Sequence, residues 1–424
     1  MSKLVIDVTY LAHWHGKLTG IPRVIHELVS RYATLQEACV FVVWDNEAAD
    51  FFEVDIQKTI TNRGLSLHYL HDQSSTALSR AKHAASISGR GLRKLKNDYK
   101  VPVPRPVIDS LVRQRSDSYK KLSMKDGDTF LLTMGEWKNR SYIDKVLNYR
   151  QRNVRLIQIS YDVLPLVQPQ YSGHSTDSLT SYNTAIIPEC DLVLAISEHT
   201  KKDLTAWLKA ANLQVPEIAV FRLGDDFEES TPKKPSNQQF LKTIADNPTY
   251  LLCVGTLEAR KNHTLLYYVY KLARQRGIDL PRLMIVGRRG WKTDDLYELI
   301  TKDPETKDKM IILDTISDQE LSWLYGNALF TIYPSFYEGW GLPIAESIMR
   351  GIPCLSSSTS SMPEIAGDII DYFSPLSTDE CLQGVMNYLK PATLKSVRER
   401  LVAYQPHSWD ATFKQVNKYI KEIA

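Results

Sequence analysis

Residues 333–353 read Tyr333-Pro-Ser-Phe-Tyr-Glu-Gly-Trp-Gly-Leu-Pro-Ile-Ala-Glu-Ser-Ile-Met-Arg-Gly-Ile-Pro353, and this stretch decides the fold. The apolar run ending at Ile332 reads as a strand, and a loop holding Gly339 and Gly341 follows it. Pro343 stands where the first turn of a helix begins, and Gly351 with Pro353 ends that helix. A strand, a glycine loop and a helix N-terminus at the carboxyl edge of a parallel sheet present free main-chain N–H groups and the positive end of a helix dipole. That place attracts an anion, a phosphate above all. Glu338 and Glu346 flank the loop with seven residues between them. A carboxylate accepts from two vicinal hydroxyls at once, so the pair suits a sugar on one side of the phosphates and a ribose on the other. Each acid alone has a plainer reading: Glu346 as an i, i+4 partner of Arg350, and Glu338 as an exposed loop acid. The glycine loop between them favours the ligand.

Outward from this stretch, short apolar runs alternate with amphipathic helical segments, the pattern of α/β sheets. Strands are expected at 3–8, 40–44, 129–133, 154–159 and 192–196, and a second series at 250–254, 283–286, 310–313, 329–332 and 353–356. Two successive sets imply two domains. Between them, residues 228–247 carry Ser-Thr-Pro-Lys-Lys-Pro-Ser-Asn and read as a linker. Near the end, Phe413, Val416, Tyr419 and Ile420 fall at helical spacing within Trp409–Ile423.

The 424 residues, 43% hydrophobic and 24% charged, exclude a disulfide-stapled miniature, bulk disorder and fibrous repeats. A formal charge of +3 gives no global argument for nucleic acid, and no nucleic-acid partner is expected. Five widely spaced cysteines without a CxxC pair fit a reducing cytosol. The apolar start breaks at Asp7, and no run reaches eighteen apolar residues, so neither a signal peptide nor a membrane span is expected. The segment 80–125 departs from the average, with thirteen Lys or Arg against three Asp. It reads either as a solvated insertion or as a patch for an anionic membrane surface.

Val254-Gly-Thr-Leu-Glu-Ala-Arg-Lys-Asn262 follows the strand that opens the second domain. Arg260 and Lys261 then sit in a strand-to-helix loop on the carboxyl edge, where open α/β sheets bind ligands. Cations at the start of a helix oppose its dipole, which argues for a bound anion such as a diphosphate. In the first domain, Gly16-Lys-Leu-Thr-Gly-Ile-Pro-Arg-Val-Ile-His26 gives a further loop, with Gly20 either contacting substrate or making an ordinary turn.

Other motifs fail on context. Asp126-Gly-Asp128 matches a DxD pattern yet precedes its strand, so an Asp-Gly turn is the reading. Gly287-Arg-Arg-Gly290 lacks the third glycine of a dinucleotide fingerprint. The histidines, His13-Trp-His15 among them, form no HExxH, and no metal site is expected.

Taken together, the Glu338-to-Glu346 motif, residues 254–262, Ile285-Val-Gly-Arg-Arg-Gly-Trp291 and Ser317-Asp-Gln-Glu-Leu-Ser-Trp-Leu-Tyr325 resemble retaining glycosyltransferases of family four. The resemblance is strong over 250–367 and continues faintly through Ser160-Tyr-Asp-Val-Leu-Pro165, Cys190-Asp-Leu-Val-Leu-Ala-Ile-Ser197 and Leu223-Gly-Asp225. It implies an α/β GT-B fold: two Rossmann-like parallel-sheet domains facing a cleft, with a C-terminal helix docking back. The expected division is 1–227 for the acceptor-side domain, 228–247 for the linker, 248–405 for the nucleotide-sugar domain, and 406–424 for a helix on the N-terminal domain.

By this resemblance Glu338 binds hydroxyls of the transferred sugar and Glu346 holds the ribose. Gly339, Trp340, Gly341 and Leu342 line the sugar and distal phosphate, Lys261 and Arg260 meet the diphosphate, and Gly255, Thr256 and Gly20 complete the donor site. Thr315, Ile316 and Ser317 are assigned to the base, and Tyr161, Asp162 and His13 to the acceptor side. Two departures stand out: Thr256 replaces an Arg that many relatives carry, and Tyr161 replaces a His. The implied activity is retaining, metal-independent hexosyl transfer in surface polysaccharide assembly, with a loose resemblance to bacterial polysaccharide mannosyltransferases. GDP-mannose is the first donor, dTDP-rhamnose or a UDP-sugar the next, and a glycan or lipid-linked oligosaccharide the acceptor. No cofactor is implied beyond this co-substrate. The expected location is the cytoplasm or the inner face of the cytoplasmic membrane. A sugar-nucleotide epimerase and a catalytically silent glycan-binding subunit are the competing classes.

Overall fold

The computed structural model describes residues 2–14, 18–35, 39–56, 120–173, 176–226 and 249–423, the backbone at 60–61 and 64–65, and positions 235, 237, 240 and 242. Most of the expected linker, and the basic segment except 120–125, lie outside them. The chain packs as two compact units, Met1–Ile159 with Glu189–Asp191 and Glu422–Ala424, and Ser160–Pro188 with Leu192–Lys421.

Two large sheets carry the fold. The first has seven strands in the order Asp50–Val54, Cys39–Asp45, Leu4–Asp7, Thr129–Leu132, Arg155–Ser160, Leu192–Ala195 and Glu217–Val220. Leu4–Asp7 pairs parallel with both of its neighbours. The edge strand Asp50–Val54 was not among the expected strands and runs antiparallel to Cys39–Asp45. A turn over 46–49, with Ala49 at a φ of 49°, folds it straight back.

The second sheet has six strands, all parallel, in the order Met310–Leu313, Arg282–Val286, Tyr250–Val254, Thr331–Tyr333, Cys354–Ser357 and Asp371–Phe373. The two sheets are Rossmann-like, and the α/β GT-B class read from the sequence is the observed one. In the second sheet the chain order reverses between Tyr250–Val254 and Thr331–Tyr333. Loops leaving those two strands therefore meet at a topological switch point, the crevice in which open α/β sheets bind ligands.

Period-two alternation buries both faces of this sheet. Leu251 and Cys253 face one core with Leu266, Tyr270, Ile285 and Leu382. Tyr250 and Leu252 face the other, with Met284, Leu324 and Tyr325. In the Asp126–Asp128 segment, Gly127 adopts a φ of 77°. Asp128 accepts from the N–H groups of Lys3 and Lys125 at 3.0 and 2.8 Å, so the DxD match is a turn that starts a strand.

The C-terminal helix Trp409–Ile423 is tied to residues 220–226. Thr412 donates to the Arg222 carbonyl at 2.8 Å, Gln415 to the Val220 carbonyl at 3.0 Å, and the Trp409 N–H to Asp226 at 2.8 Å. Gly224 lies directly against Trp409: a Cβ there would stand 2.5 Å from the indole and 2.8 Å from the Trp409 nitrogen. Because a main-chain atom is involved, a rotamer change does not relieve the overlap. Gly224→Ala is expected to cost about 1–3 kcal/mol, seen as unfolding at lower urea than the parent. An unchanged midpoint would contradict this docking.

Candidate functional site

The site is built from two loops at the switch point. After Val254 the chain passes Gly255 and Thr256, makes one 3-10 turn over Ala259–Lys261, and enters the helix His263–Gln275 through Asn262 at a φ of 55°. After Tyr333 it passes 334–341 and enters the helix Leu342–Met349, with Pro343 in the first turn and Gly341 at the N-cap. The loops are stitched together. Asn262 donates to the carbonyls of Pro334 and Pro375 at 3.1 and 2.9 Å, and the Phe336 N–H donates to the Arg260 carbonyl at 2.8 Å.

Glu338 is no exposed loop acid. It is 6% exposed and lies between both cations of the other loop. Arg260 Nη1 stands 2.5 Å from Oε2 and Lys261 Nζ 2.7 Å from Oε1. Burial pushes the Glu338 carboxyl up, but the Arg260 and Lys261 charges outweigh it and hold the group down at about 2. Lys261 in turn is pulled below its ordinary value by burial, with Glu338 drawing it back, and its ammonium donates to the Tyr333 hydroxyl at 2.5 Å. Burial raises Asp162, and the Arg260 charge opposes that rise. His263, 1% exposed, is held neutral by burial, with a pKa of about 3.

A row of serines and a threonine clamps the glycine loop from behind. Ser361 donates to the carbonyls of Glu338 and Trp340 at 2.8 and 2.7 Å, Ser360 to that of Glu338 at 2.6 Å, and Thr359 to that of Phe336 at 2.9 Å. With the carbonyls held on that side, the N–H groups of Gly339, Trp340, Gly341 and Leu342 donate to no protein group among the described residues. A Cβ on Gly339 would overlap the Tyr161 carbonyl oxygen and crowd Asp162 at 3.1 Å, so only glycine fits this approach. The arrangement offers a fixed carboxylate, a buried Lys261 with a part-buried Arg260, and a run of unused N–H donors at a helix N-terminus, the elements of an anion and hydroxyl site.

Glu346 lies half-buried in the middle of its helix, and Tyr325 donates to it at 3.1 Å. Arg350 donates to the Glu346 carbonyl at 3.0 Å and stacks its guanidinium 4.7 Å from the Tyr325 ring centroid.

The model for glycosyl transferases group 1 matches residues 236–374, the span that holds both loops. Over that span the chain is similar to the group 1 glycosyl transferases. Among curated proteins it is 30% identical over 243 residues to the serotype-specific mannosyltransferase WbdA of Escherichia coli, covering 54% of this chain and 29% of WbdA. It is 26% identical over 299 residues to O-antigen chain mannosyltransferase B of Escherichia coli, covering 67% of this chain and 76% of that protein. The chain thus spans less than a third of the WbdA proteins it matches. The Anabaena Alr3699/HepE structure in complex with UDP and glucose shares the fold, with a TM-score of 0.60, 13% identity and full coverage of both chains.

The matched span contains most of the residues expected at the site. Gly255 and exposed Thr256 lead into the Arg260 turn. Thr315, Ile316 and Ser317 follow the strand Met310–Leu313 on the same sheet edge, where Ser317 caps the helix Asp318–Asn327 through a capping box with Glu320. Tyr161 is buried beneath Gly339, and Asp162 accepts from the Leu164 N–H at 3.2 Å. His13 and Gly20 belong to the first unit. His13 is half exposed, 3.9 Å from Glu136, and Gly20 is the N-cap of the helix Ile21–Thr34. No group of three or more His, Cys, Asp or Glu able to hold a metal ion occurs among the described residues, nor does a helix long and apolar enough to cross a membrane.

Sequence reading missed Tyr325, Tyr333, Glu258 and the 359–361 clamp. The run Ser356-Ser-Ser-Thr-Ser-Ser361 after a strand was the available signal for the clamp.

The depressed Glu338 value sets a pH test. A carboxyl held at about 2 when folded, against an ordinary 4.5, contributes stability above pH 4.5 that fades as the pH falls towards 2. The stability gap between the parent and Glu338→Gln, measured in urea, is expected to be largest near neutrality and to narrow steadily below pH 4.5. A gap independent of pH would contradict the clamp.

Proposed function

We propose that this chain is a retaining, metal-independent hexosyltransferase that moves mannose from GDP-mannose to a glycan or lipid-linked oligosaccharide in surface polysaccharide assembly. The observation that carries the reading is the charged, immobilised Glu338 beside the unused N–H groups of Gly339–Leu342. The names of the WbdA and mannosyltransferase B relatives support mannose as the hexose and O-antigen-type polysaccharide as the product.

In this reading the diphosphate rests on the N–H groups at the start of Leu342–Met349, Glu338 accepts from hydroxyls of the hexose, and Glu346, steadied by Tyr325, accepts from those of the ribose. Arg260 and Lys261 are committed to Glu338. They therefore serve twice, keeping that carboxylate ionised and lending positive field to the phosphates. The acceptor hydroxyl attacks the anomeric carbon on the face the nucleotide leaves. The bond from that carbon to the phosphate oxygen breaks as the new glycosidic bond forms, and the acceptor proton passes to the departing phosphate oxygen. Charge develops on that oxygen, where the helix N-terminus and the two cations stabilise it. The basic segment 80–125 suits a peripheral place on the inner face of the cytoplasmic membrane, beside a lipid-linked acceptor.

The test is a donor screen of GDP-mannose, dTDP-rhamnose and UDP-sugars with acceptor glycans, reading the product's anomeric configuration by NMR. Transfer from GDP-mannose with retained configuration is expected, and Glu338→Gln and Lys261→Ala should each lower turnover about a hundredfold or more while staying folded. Conversion of the donor sugar without acceptor would mark an epimerase. Binding without turnover would mark a silent subunit, and near-normal turnover in both variants would overturn the site.

A further inference from the structure

Glu258 has no part in the reading above, yet it is the second acid on Arg260. It is 3% exposed, its Oε1 forms an ion pair with Arg260 Nη2 at 2.9 Å, and its Oε2 is buried without a hydrogen-bond partner. Arg260 is thus held at both arms of its fork. Nη2 goes to Glu258, while Nη1 goes to Glu338 at 2.5 Å and to the Tyr337 carbonyl at 3.2 Å. Gly290 locks Glu258 from behind: a Cβ there would come 3.2 Å from the Glu258 Cβ, and the Gly290 N–H donates to the Leu257 carbonyl at 2.7 Å. A planar guanidinium held at one end only can swing about its stem, whereas one held at both ends is fixed in plane and direction.

We propose that Glu258 is a positioning residue: by holding the far arm of Arg260 it orients the near arm, and so fixes the direction in which Glu338 faces the transferred sugar. Arg260 is the guanidinium that residues 255–262 offer, and Glu258 is what aims it. The inference rests on the transferase reading for its kinetic consequence, but its structural core stands without it. Asp162 lies within the same field, yet it bonds to the Leu164 N–H and leaves the fork to Glu258.

Because Glu338 is assigned to the hexose and not to the nucleotide, loss of Glu258 should act on kcat and spare the nucleotide. In Glu258→Ala, kcat is expected to fall about 10- to 100-fold, while the affinity for free GDP, by calorimetry, stays within about threefold of the parent's. Glu258→Gln keeps an acceptor for Nη2 and should restore kcat to within about threefold. A merely structural role would not separate these two variants. Should the alanine variant fail to fold, Glu258→Met fills the volume without an acceptor and takes its place. A second readout needs no turnover. The Arg260 guanidinium N–H resonances should be resolved in the parent and in Glu258→Gln, and averaged by rotation in Glu258→Ala. Averaged resonances in a parent protein that transfers no sugar would sink both proposals. Resolved resonances in an inactive parent, lost in Glu258→Ala, would sink the transferase reading and leave the positioning role standing. Unchanged resonances and unchanged kcat in Glu258→Ala would overturn the role of Glu258 itself.

Discussion

The pairing of Glu338 with Arg260 and Lys261 is the constraint on which the rest of the second sheet's upper edge depends. Three charges taken out of water lose far more solvation than any one contact returns, so the group is stable only when complete. Removing one member of such a pair typically costs about 3–5 kcal/mol, because the remaining charge is left buried and uncompensated. That sets the demands on the loops. Two segments 77 residues apart, at Lys261 and Glu338, must close to within 2.7 Å, and Asn262, Phe336, Ser360 and Ser361 supply the stitching that holds them there.

The sheet order makes the closure cheap. Tyr250–Val254 and Thr331–Tyr333 are neighbours across the reversal of strand order, so their outgoing loops diverge to opposite faces and leave a crevice lined by both. Chain polarity then does the chemical sorting. Cations arrive on the 255–262 loop, the acid and the glycines on the 334–341 loop, and the helix Leu342–Met349 points its positive end at the same place. With the serine and threonine clamp holding the carbonyls inward, the N–H groups face out without any side chain being spent on them.

Much of this was legible in the sequence, for identifiable reasons. The acid and glycine motif and the basic pair are contiguous, and helix starts and stops such as Pro343 and Gly351 act locally, so the residues name their own geometry. Ten strands were placed within two residues because buried parallel strands are short continuous apolar runs. Asp50–Val54 escaped because Asp50 and Glu53 interrupt its apolar run and its pairing depends on the preceding turn. Glu217–Val220 and Asp371–Phe373 escaped because three or four residues show no period. At the site, the burial of Glu338, the Tyr325 contact to Glu346 and the fork of Arg260 between two acids are tertiary facts. Each joins elements through space, and no spacing along the chain encodes it. The motif named candidate residues; it left open that the cations are bound to the acid.

The proposed grip of Glu338 on the transferred sugar depends on its being held ionised by Arg260 and Lys261. Its most direct test is a crystal structure of the chain with the nucleoside diphosphate sugar selected by the donor screen, in a non-hydrolysable form. The account predicts Glu338 still between both cations with hexose hydroxyls within hydrogen-bond distance of its oxygens, and the diphosphate on the N–H groups of Gly339 to Leu342. A donor bound elsewhere, with Glu338 touching only Arg260 and Lys261, would contradict it.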